Sequence, residues 1–498
     1  MAKKKKILLL ADDIRMHSGI ATMGRELVLG TADRYDWVQI AGAITHPDKG
    51  KIADMSDATN KMLGRNDCYV KLYPVDGYGD EDTLFAIMNM EKPDAVLHFT
   101  DPRFWTWLYL IERQVRAKVP LTYLNIWDDL PYPMYNRPFY ESCDVLMSIS
   151  KQTYNINEQV LGQDRICTIN DPTMHGKTLL HYVPHGINHK VFQPLPVTDP
   201  RLIQRRKEFL SGKDYKFVML FNSRNVHRKR PSNIILAYRN FCDNLPLEEA
   251  KKCCLILHTE VRCDAGTDLM AVKEALCPDY DIVFSTTKIL PEDMACLYNI
   301  ADVTINVSSN EGFGLSIAES IMCGTPVIAT VTGGLQDQMG FVDGNGKAPV
   351  FNKEWGSNFD GRYKEHGVWS YPLFPTARYI QGSIPTPYIL DDLSTWEELA
   401  EAMMFWYLMP KDKRDVCGLK GREWALGDGG LNAENMCNQF VAAMDYCFTH
   451  WKPADSVELV TSKDYVGNLM PNKQMGFILP KIDLDKVQKN IESTVSKL

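Results

Sequence analysis

The chain has 498 residues, of which 45% are hydrophobic and 24% are charged, as is typical of a soluble globular enzyme of roughly two to four domains. The formal net charge of −8 excludes a global basic field for nucleic acid, so any such contact would need a local patch. No apolar run approaches the ~18 residues of a membrane span, and no integral membrane association is expected.

Thirteen cysteines are scattered along the chain, without a C-x-x-C pair and without histidines at zinc-binding spacing. An odd number of scattered cysteines is typical of thiols in a reducing compartment. The chain starts with MAKKKKILLLADD, whose apolar run is too short for a signal peptide and is followed directly by acidic residues. We interpret this start as a β-strand behind a lysine tract, and we expect a cytoplasmic protein.

Short apolar runs alternate with helix-length segments through the first part of the chain. KILLLAD is followed by GIATMGRELVLG, in which Ile20, Met23 and Leu27 have helical spacing. Further strand-like runs are KPDAVLHF, VPLTYLNIW and CDVLMSIS. This alternation predicts a parallel sheet covered on both faces. The proline-rich stretch 183–200 is interpreted as a connection between domains.

A second alternating series follows, with the strand candidates KFVMLFNS, KCCLILHT, YDIVFST, ADVTINVSS and GTPVIAT. Two consecutive doubly wound halves predict a cleft at the carboxyl ends of their strands. Between 340 and 390 the alternation fails, and aromatic residues are mixed with basic ones. Helical patterning resumes at STWEELAEAMMFWYL, and the chain ends with an apolar stripe at helical spacing: Leu484, Val487, Ile491, Val495 and Leu498.

Two glutamates flank a glycine-rich turn in NEGFGLSIAES, with seven residues between Glu311 and Glu319. Gly312 and Gly314 allow a tight turn and a close approach of backbone to a ligand. Helical patterning starts at Leu315, so the amides there would face an anion. Glu319 would lie about one turn inside the helix, where its carboxylate can accept two hydroxyl groups. Spacing alone is equally consistent with a surface turn that bears two solvated glutamates.

This stretch resembles the motif of two glutamates separated by seven residues in retaining glycosyltransferases of the GT-B fold, specifically glycosyltransferase family four. Almost the whole of 289–334 is similar to that family's signature. VPHGINHKVF resembles the segment that ends the family's first domain, and NSRNVHRKRP resembles the one that supplies an arginine and a lysine five positions apart. HSGIATMGREL is similar to its amino-terminal glycine loop.

The resemblance implies an α/β protein of the GT-B class, with two Rossmann-like doubly wound domains that face each other across a donor cleft. The first domain would span 1–195 and be completed by a crossing helix within 430–498. The second, nucleotide-sugar-binding domain would span 196–430 and carry an aromatic-rich insertion at 340–390.

The resemblance also implies roles for residues around the donor, a nucleotide diphosphate sugar. Arg224 and Lys229 would hold the diphosphate and stabilise the leaving nucleotide, which two fixed cations can do without a metal. Glu311 would contact the donor sugar, and Glu319 would bind the ribose. The turn and the glycine loop would line the donor through Gly19, Gly312, Phe313, Gly314 and Leu315. No cofactor and no metal ion is implied.

One position departs from the family pattern. At the end of VPLTYLNIWDD, where the family commonly carries a histidine that faces the reacting sugar, this chain has Trp127. His98, on the preceding strand, is a candidate substitute, although a packed strand-end histidine is the favoured interpretation. Asp128 or Asp129 would hydrogen-bond an acceptor hydroxyl or, alternatively, cap the turn that follows.

The predicted reaction transfers a sugar to a hydroxyl group with retention at the anomeric carbon. The segment 377–392 resembles a variant found among glycosyltransferases of large phages, some of which modify hydroxymethylated pyrimidines of viral DNA. The aromatic and basic residues of 340–390 would then stack on and neutralise a DNA strand, in the host cytoplasm if the protein is viral. The favoured alternative is that this insertion packs its aromatic residues over the cleft. Other open possibilities are a glycan, protein or lipid acceptor, a nucleotide-sugar epimerase, and a nucleotide-sugar-binding protein without catalysis.

Overall fold

The computed structural model describes residues 3–174, 176–350, 363, 365–454 and 484–495. The first domain is built on a nine-stranded sheet in the order β3-β4-β2-β1-β5-β6-β7-β9-β8, in which β3–β4 alone is antiparallel. Its strands are β1 (Lys5–Asp12), β2 (Tyr35–Gly42), β3 (Ala53–Asp54), β4 (Val70–Pro74), β5 (Ala95–Phe99), β6 (Leu121–Asn125), β7 (Val145–Ser148), β8 (Ile166–Cys167) and β9 (Thr178–Tyr182).

Helices cover both faces of this sheet. They are α1 (Gly19–Thr31), α2 (Ser56–Leu63), α3 (Glu81–Glu91), α4 (Thr106–Leu110), α5 (Glu112–Arg116), α6 (Arg137–Glu141) and α7 (Lys151–Leu161). In β1 the residues from Ile7 to Ala11 are fully buried, as expected for a central parallel strand. The side chain of Ser18 accepts a hydrogen bond from the Ala21 amide at 3.0 Å and so begins α1 directly after β1.

The second domain is built on a six-stranded, fully parallel sheet in the order β12-β11-β10-β13-β14-β15. Its strands are β10 (Phe217–Asn222), β11 (Cys253–His258), β12 (Ile282–Ser285), β13 (Val303–Asn306), β14 (Val327–Thr330) and β15 (Ser370–Leu373). Its helices are α8 (Pro200–Phe209), α9 (Pro231–Asp243), α10 (Leu247–Ala250), α11 (Leu269–Leu276), α12 (Pro291–Ile300), α13 (Leu315–Met322), α14 (Trp396–Leu408) and α15 (Lys411–Leu426). The predicted α/β architecture with two Rossmann-like domains is confirmed.

Helix α16 (Ala433–His450) follows the second domain in sequence but packs on the first. Asp445 of α16 accepts hydrogen bonds from Arg34 at 2.7 Å and from Tyr35 at 2.9 Å, and Cys437 lies against Glu26 of α1. The chain therefore crosses back between the domains. The boundaries at 195 and 430 stay a prediction.

The segment 340–390 differs from the irregular insertion expected from the sequence. Ser370–Leu373 extends the second sheet as β15, and an antiparallel hairpin of β16 (Ala377–Ser383) and β17 (Thr386–Leu393) follows it. The aromatic side chains of Phe341 and Trp369 are buried, and Trp369 packs on Trp424 of α15. The expected residues between 351 and 362, and Lys364, lie outside the described part of the chain.

A last helix, α17 (Leu484–Val495), carries the apolar stripe noted in the sequence, and of that stripe the structure describes the side chain of Leu484, which is exposed. Within the described residues, no helix combines the length and the apolar character needed to cross a bilayer.

Candidate active site

The carboxyl ends of the two sheets face each other, and the turn that carries Glu311 lies between them. This turn follows β13 and ends where α13 begins. Gly314 has a φ of +92°, and a Cβ there would overlap the side chain of Leu335. A Cβ on Gly312 would lie 2.9 Å from the Ile126 carbonyl oxygen of the first domain. Both positions therefore need glycine, one for its backbone angle and one for the close approach of the other domain.

The start of α13 presents free amides to the cleft. Within the described residues, the amides of Phe313, Gly314 and Leu315 donate no hydrogen bond. The glycine that begins α1 is nearby, because a Cβ on Gly19 would lie 3.3 Å from the Leu315 side chain. Two helix starts, one from each domain, thus converge here, which favours an anionic ligand.

A buried ion pair stands at the centre of the site. The Lys229 ammonium donates a hydrogen bond to Glu311 Oε2, and the Ser308 hydroxyl donates to the same oxygen at 3.2 Å. The side chains of Lys229 and Glu311 are only 9% and 13% exposed. Burial alone would raise the pKa of Glu311, but the Lys229 and Arg228 cations outweigh it and hold that pKa below its ordinary value. Glu311 is therefore ionised in the free protein.

Arg224 and Lys229 differ in their surroundings although both follow β10. Lys229 is buried against Glu311, whereas Arg224 is exposed and forms no side-chain hydrogen bond or ion pair with the residues that the structure describes. An exposed guanidinium with five free donors is suited to a phosphate oxygen.

Glu319 lies within α13, as the sequence predicts for a residue about one turn into the helix. Its Oε2 accepts a hydrogen bond from the Tyr298 hydroxyl at 2.7 Å, and that hydroxyl in turn accepts one from Asn222 at 2.8 Å. Burial raises the pKa of Glu319 to about 7. The carboxyl group is thus held in place by one hydroxyl and titrates near neutral pH.

On the opposite wall, two adjacent carboxyl groups follow β6. Arg228 Nη1 lies 3.9 Å from Asp128 Oδ2 and 4.0 Å from Glu311 Oε2, and it donates to the Asn310 carbonyl at 2.7 Å. Burial raises the pKa of Asp128, and burial with the Asp128 charge raises the pKa of Asp129 well above its ordinary value. Arg228 therefore links the carboxyl groups of the two walls.

Trp127 and His98, the two residues considered around the family histidine position, are both buried. His98 is fully buried, with its Nδ1 2.7 Å from the Tyr109 hydroxyl and its ring stacked on Tyr123 at 4.9 Å. Burial lowers the pKa of His98 to about 3. The His98 side chain thus packs in the first-domain core, and the catalytic role considered for it stays a prediction. Trp127 is also buried and packs against the Arg103 guanidinium, which lies 4.6 Å from the ring centroid.

Sequence reasoning missed several residues that contact the site. Arg228 lies inside the basic segment NSRNVHRKRP, but nothing in its spacing distinguishes it from the other basic residues there. Ser308 and Tyr298 have ordinary positions next to a strand and in a helix, and only the fold brings them to Glu311 and Glu319. The hairpin residue Asp391 was not singled out either, although it bonds Ser309 next to the glutamate turn.

Comparison with known proteins identifies the segment that carries this site. Residues 203–340 match the family described as glycosyl transferases group 1. This segment is similar to group 1 glycosyl transferases. It contains Arg224, Lys229, Glu311 and Glu319.

Relatives of this domain are named as glycosyltransferases. The D-inositol 3-phosphate glycosyltransferase of Xylanimonas cellulosilytica is 29% identical over 157 residues, which are 32% of this chain and 36% of that protein. The protein of the same name from Corynebacterium jeikeium is 51% identical over 45 residues, which are 9% of this chain and 11% of that protein. The chain thus matches 36% or less of the length of each of these two relatives.

Solved structures share the fold over most of the chain. Anabaena HepE in complex with UDP and glucose has a TM-score of 0.57 and 14% identity, covering 89% of this chain and 99% of HepE. Sucrose-phosphate synthase from Thermosynechococcus elongatus has a TM-score of 0.61 and 16% identity, covering 90% and 100%. The fold of the two domains is GT-B, as predicted from the sequence.

Proposed function

We propose that the protein is a retaining glycosyltransferase of the family-four type, which moves a sugar from a nucleotide diphosphate sugar to an acceptor hydroxyl. The observation that carries the proposal is the Lys229–Glu311 pair below the free amides of the glycine turn. The pair lies inside the segment that matches glycosyl transferases group 1. HepE, which shares the fold, was crystallised with UDP-glucose, so UDP-glucose is the first donor to test.

In this proposal the donor diphosphate occupies the space between Arg224, Lys229 and the amides at the start of α13. Arg224 is free to bind it, whereas Lys229 has to exchange Glu311 for a phosphate oxygen. Both cations then stabilise the charge that develops on the leaving diphosphate. Glu319 accepts the ribose hydroxyls with the carboxylate that Tyr298 holds in place.

Glu311, once released by Lys229, faces the donor sugar and stabilises the positive charge that develops at its anomeric carbon. The acceptor hydroxyl attacks from the face that the diphosphate leaves. Its oxygen forms the new glycosidic bond while the bond to the diphosphate breaks, and a phosphate oxygen takes its proton. Asp128, held beside Arg228, orients that hydroxyl.

The candidate acceptors are DNA and other molecules that carry hydroxyl groups. The expected DNA acceptor relied on exposed aromatic residues in 340–390, but among those that the structure describes Phe341, Trp369 and Phe374 pack inside the protein, and Tyr379 is exposed. A hydroxymethylated pyrimidine of phage DNA stays a prediction, as do a glycan, protein or lipid acceptor and a cytoplasmic location.

The test is nucleotide release from uridine, guanosine and adenosine diphosphate sugars, each with and without hydroxymethylcytosine DNA. Release that requires the DNA would identify both substrates, and slow release that ignores the DNA would direct the search to other acceptors. NMR of the product anomer tests retention, and an inverted anomer would contradict the mechanism. No release with any of these donors, combined with measurable nucleotide binding, would favour a binding protein without catalysis.

A further inference from the structure

The hairpin β16–β17 contacts the turn that carries Glu311. Asp391 Oδ1 accepts hydrogen bonds from the Ser309 hydroxyl at 2.7 Å and from the Asn310 side-chain amide at 3.2 Å. The amide of Asp392 donates to the Ser309 carbonyl at 3.0 Å, and Asp392 Oδ2 accepts from the Thr332 hydroxyl at 2.7 Å. Two consecutive hairpin residues thus hold the two residues that precede Glu311.

The same strand also contacts the opposite wall of the cleft. The Leu390 amide donates to the Leu130 carbonyl at 2.7 Å, and the Leu390 side chain is buried in the core of the first domain. The Tyr135 hydroxyl donates to the Tyr388 carbonyl at 3.0 Å, and the two rings lie edge to face at 4.9 Å. These contacts are directed at the loop that follows Asp128 and Asp129.

Asp391 is held independently of any ligand. Its second oxygen accepts a hydrogen bond from the Gln381 side chain of β16, and Arg230 Nη2 lies 3.6 Å from it. The carboxylate is buried and makes contacts on both oxygens. A buried carboxylate bonded in this way has one low-energy position, so it can fix the groups that donate to it.

We propose that the hairpin β16–β17 is a positioning strap, in which Asp391 holds the Glu311 turn while Tyr388 and Leu390 hold the loop of Asp128. Five consecutive residues, 388–392, thereby set the distance between the group that faces the donor sugar and the group that faces the acceptor. The cleft is aligned before substrate binds. The expected effect of the strap on turnover rests on the proposed function. Its effect on the positions of the Glu311 turn and the Asp128 loop does not.

Asp391→Ala tests the strap in the full chain, with Asp391→Asn as the conservative variant and Ile384→Ser as the matched control. Asn keeps an oxygen that Ser309 can donate to, whereas Ala keeps none. Ile384 lies at the hairpin tip and is fully exposed, so its substitution disturbs the hairpin sequence without touching either wall.

The kinetic readout is nucleotide release from UDP-glucose, or from whichever donor of the panel is active. Misalignment of reacting groups by about 1 Å lowers turnover about 100-fold, so Asp391→Ala should lower kcat by about tenfold to 100-fold. The donor KM should change less than about twofold, because the diphosphate contacts are not touched. Asp391→Asn should recover part of kcat, and Ile384→Ser should match the parent protein. An equal loss in all three variants, or a loss confined to KM, would overturn the proposal.

Hydrogen–deuterium exchange gives a second readout that needs no catalysis. In Asp391→Ala, exchange should increase at the amide of Asp392, which donates across the strap to the Ser309 carbonyl. It should also increase at the amide of Ser309, which donates to the Arg228 carbonyl from the turn that Asp391 holds. In Tyr388→Ala, it should increase at the amides of Met134 and Leu390. If exchange rises as expected in the variants but the parent protein turns over no donor, the strap is supported and the proposed function is contradicted. If both the glutamate turn and the Asp128 loop keep the exchange of the parent protein, the strap fails.

Discussion

The ion pair between Lys229 and Glu311 predicts opposite outcomes for stability and for activity in a double-mutant cycle. The variants are Lys229→Met, Glu311→Gln and the two combined. Each single change leaves one charge buried without its partner, whereas the combined change leaves two neutral side chains of nearly the original size. The pair is separated by 82 residues in sequence, so its loss tests the contact between the loops that follow β10 and β13.

The burial of the two side chains sets the magnitude. With exposures of only 9% and 13%, water cannot replace the missing partner. Breaking a buried pair from one side typically costs about 3–5 kcal/mol of unfolding free energy. For Lys229→Met we expect the lower end, about 3 kcal/mol, because Glu311 keeps the Ser308 hydroxyl at 3.2 Å and Arg228 at 4.0 Å. The double variant should be more stable than either single one, with a coupling energy of about 2 kcal/mol.

Urea unfolding measures the stabilities, and the exposed pair Lys411–Asp415 is the matched control. Its atoms are 2.8 Å apart, but its side chains are 67% and 56% exposed, so Lys411→Met should cost about 0.5 kcal/mol or less. Nucleotide release is measured on the same samples, and all three site variants should lose it. If Lys229→Met costs no more than Lys411→Met, or if the double variant regains activity with its stability, the reasoning is refuted.

Further predictions concern three other residues of the site, Glu319, Arg224 and Gly314. Since burial raises the pKa of Glu319 to about 7, its carboxylate forms as pH rises through that value. UDP affinity measured by calorimetry should therefore increase between about pH 6 and about pH 8, and Glu319→Gln should abolish that increase. By the same shift, the folded state loses stability as pH rises from the ordinary glutamate pKa to about 7, and Glu319→Gln should flatten the urea midpoint over that range. Arg224→Ala should weaken UDP binding about tenfold without moving the urea midpoint, because its side chain is exposed; an unchanged affinity would exclude it from the diphosphate site. Gly314→Ala should lower the unfolding free energy by about 1–3 kcal/mol, because φ is +92° and a Cβ would overlap Leu335, whereas Gly344→Ala, with no atom within 4 Å, should be neutral.

Most strands were predictable because they are uninterrupted apolar runs that parallel sheets bury on both faces. β1 and β10 are examples, and the start of α13 was predictable from the glycine turn before it. β2 was not among the predicted strands, since Asp36 and Gln39 interrupt its apolar run. Gln39 is buried nonetheless, because its side chain donates to the Asp12 carbonyl at 2.8 Å and accepts from the Ile14 amide at 3.2 Å. That compensation comes from a neighbouring loop, which no local pattern contains.

In the site, too, some features were predictable from the sequence and others depend on tertiary contacts. The sequence motif placed Glu311 and Lys229 in one region, but their contact depends on β10 and β13 being neighbours in the sheet. His98 lies on β5, next to the strand β6 that leads to Trp127. Its side chain packs against Tyr109 and Tyr123 in the first-domain core. Asp391 lies in a hairpin whose docking depends on both domains at once. Contacts of this kind follow from tertiary packing and not from residue spacing.

The charges around Arg228 account for how the proposed donor, which carries two negative charges, would enter a cleft lined with carboxyl groups. In the free protein the negative charge of Glu311 is compensated by the Lys229 ammonium, and the raised pKa of Asp129 favours the uncharged form of that carboxyl group. In the proposed donor complex the diphosphate takes Lys229, so Glu311 would lose its closest cation and Arg228 at 4.0 Å would become the main compensation. The same guanidinium lies 3.9 Å from Asp128, so donor binding changes the field on the group proposed to hold the acceptor. Under the proposed function, Arg228 would therefore connect donor binding to acceptor binding electrostatically, while the hairpin contacts the same two walls.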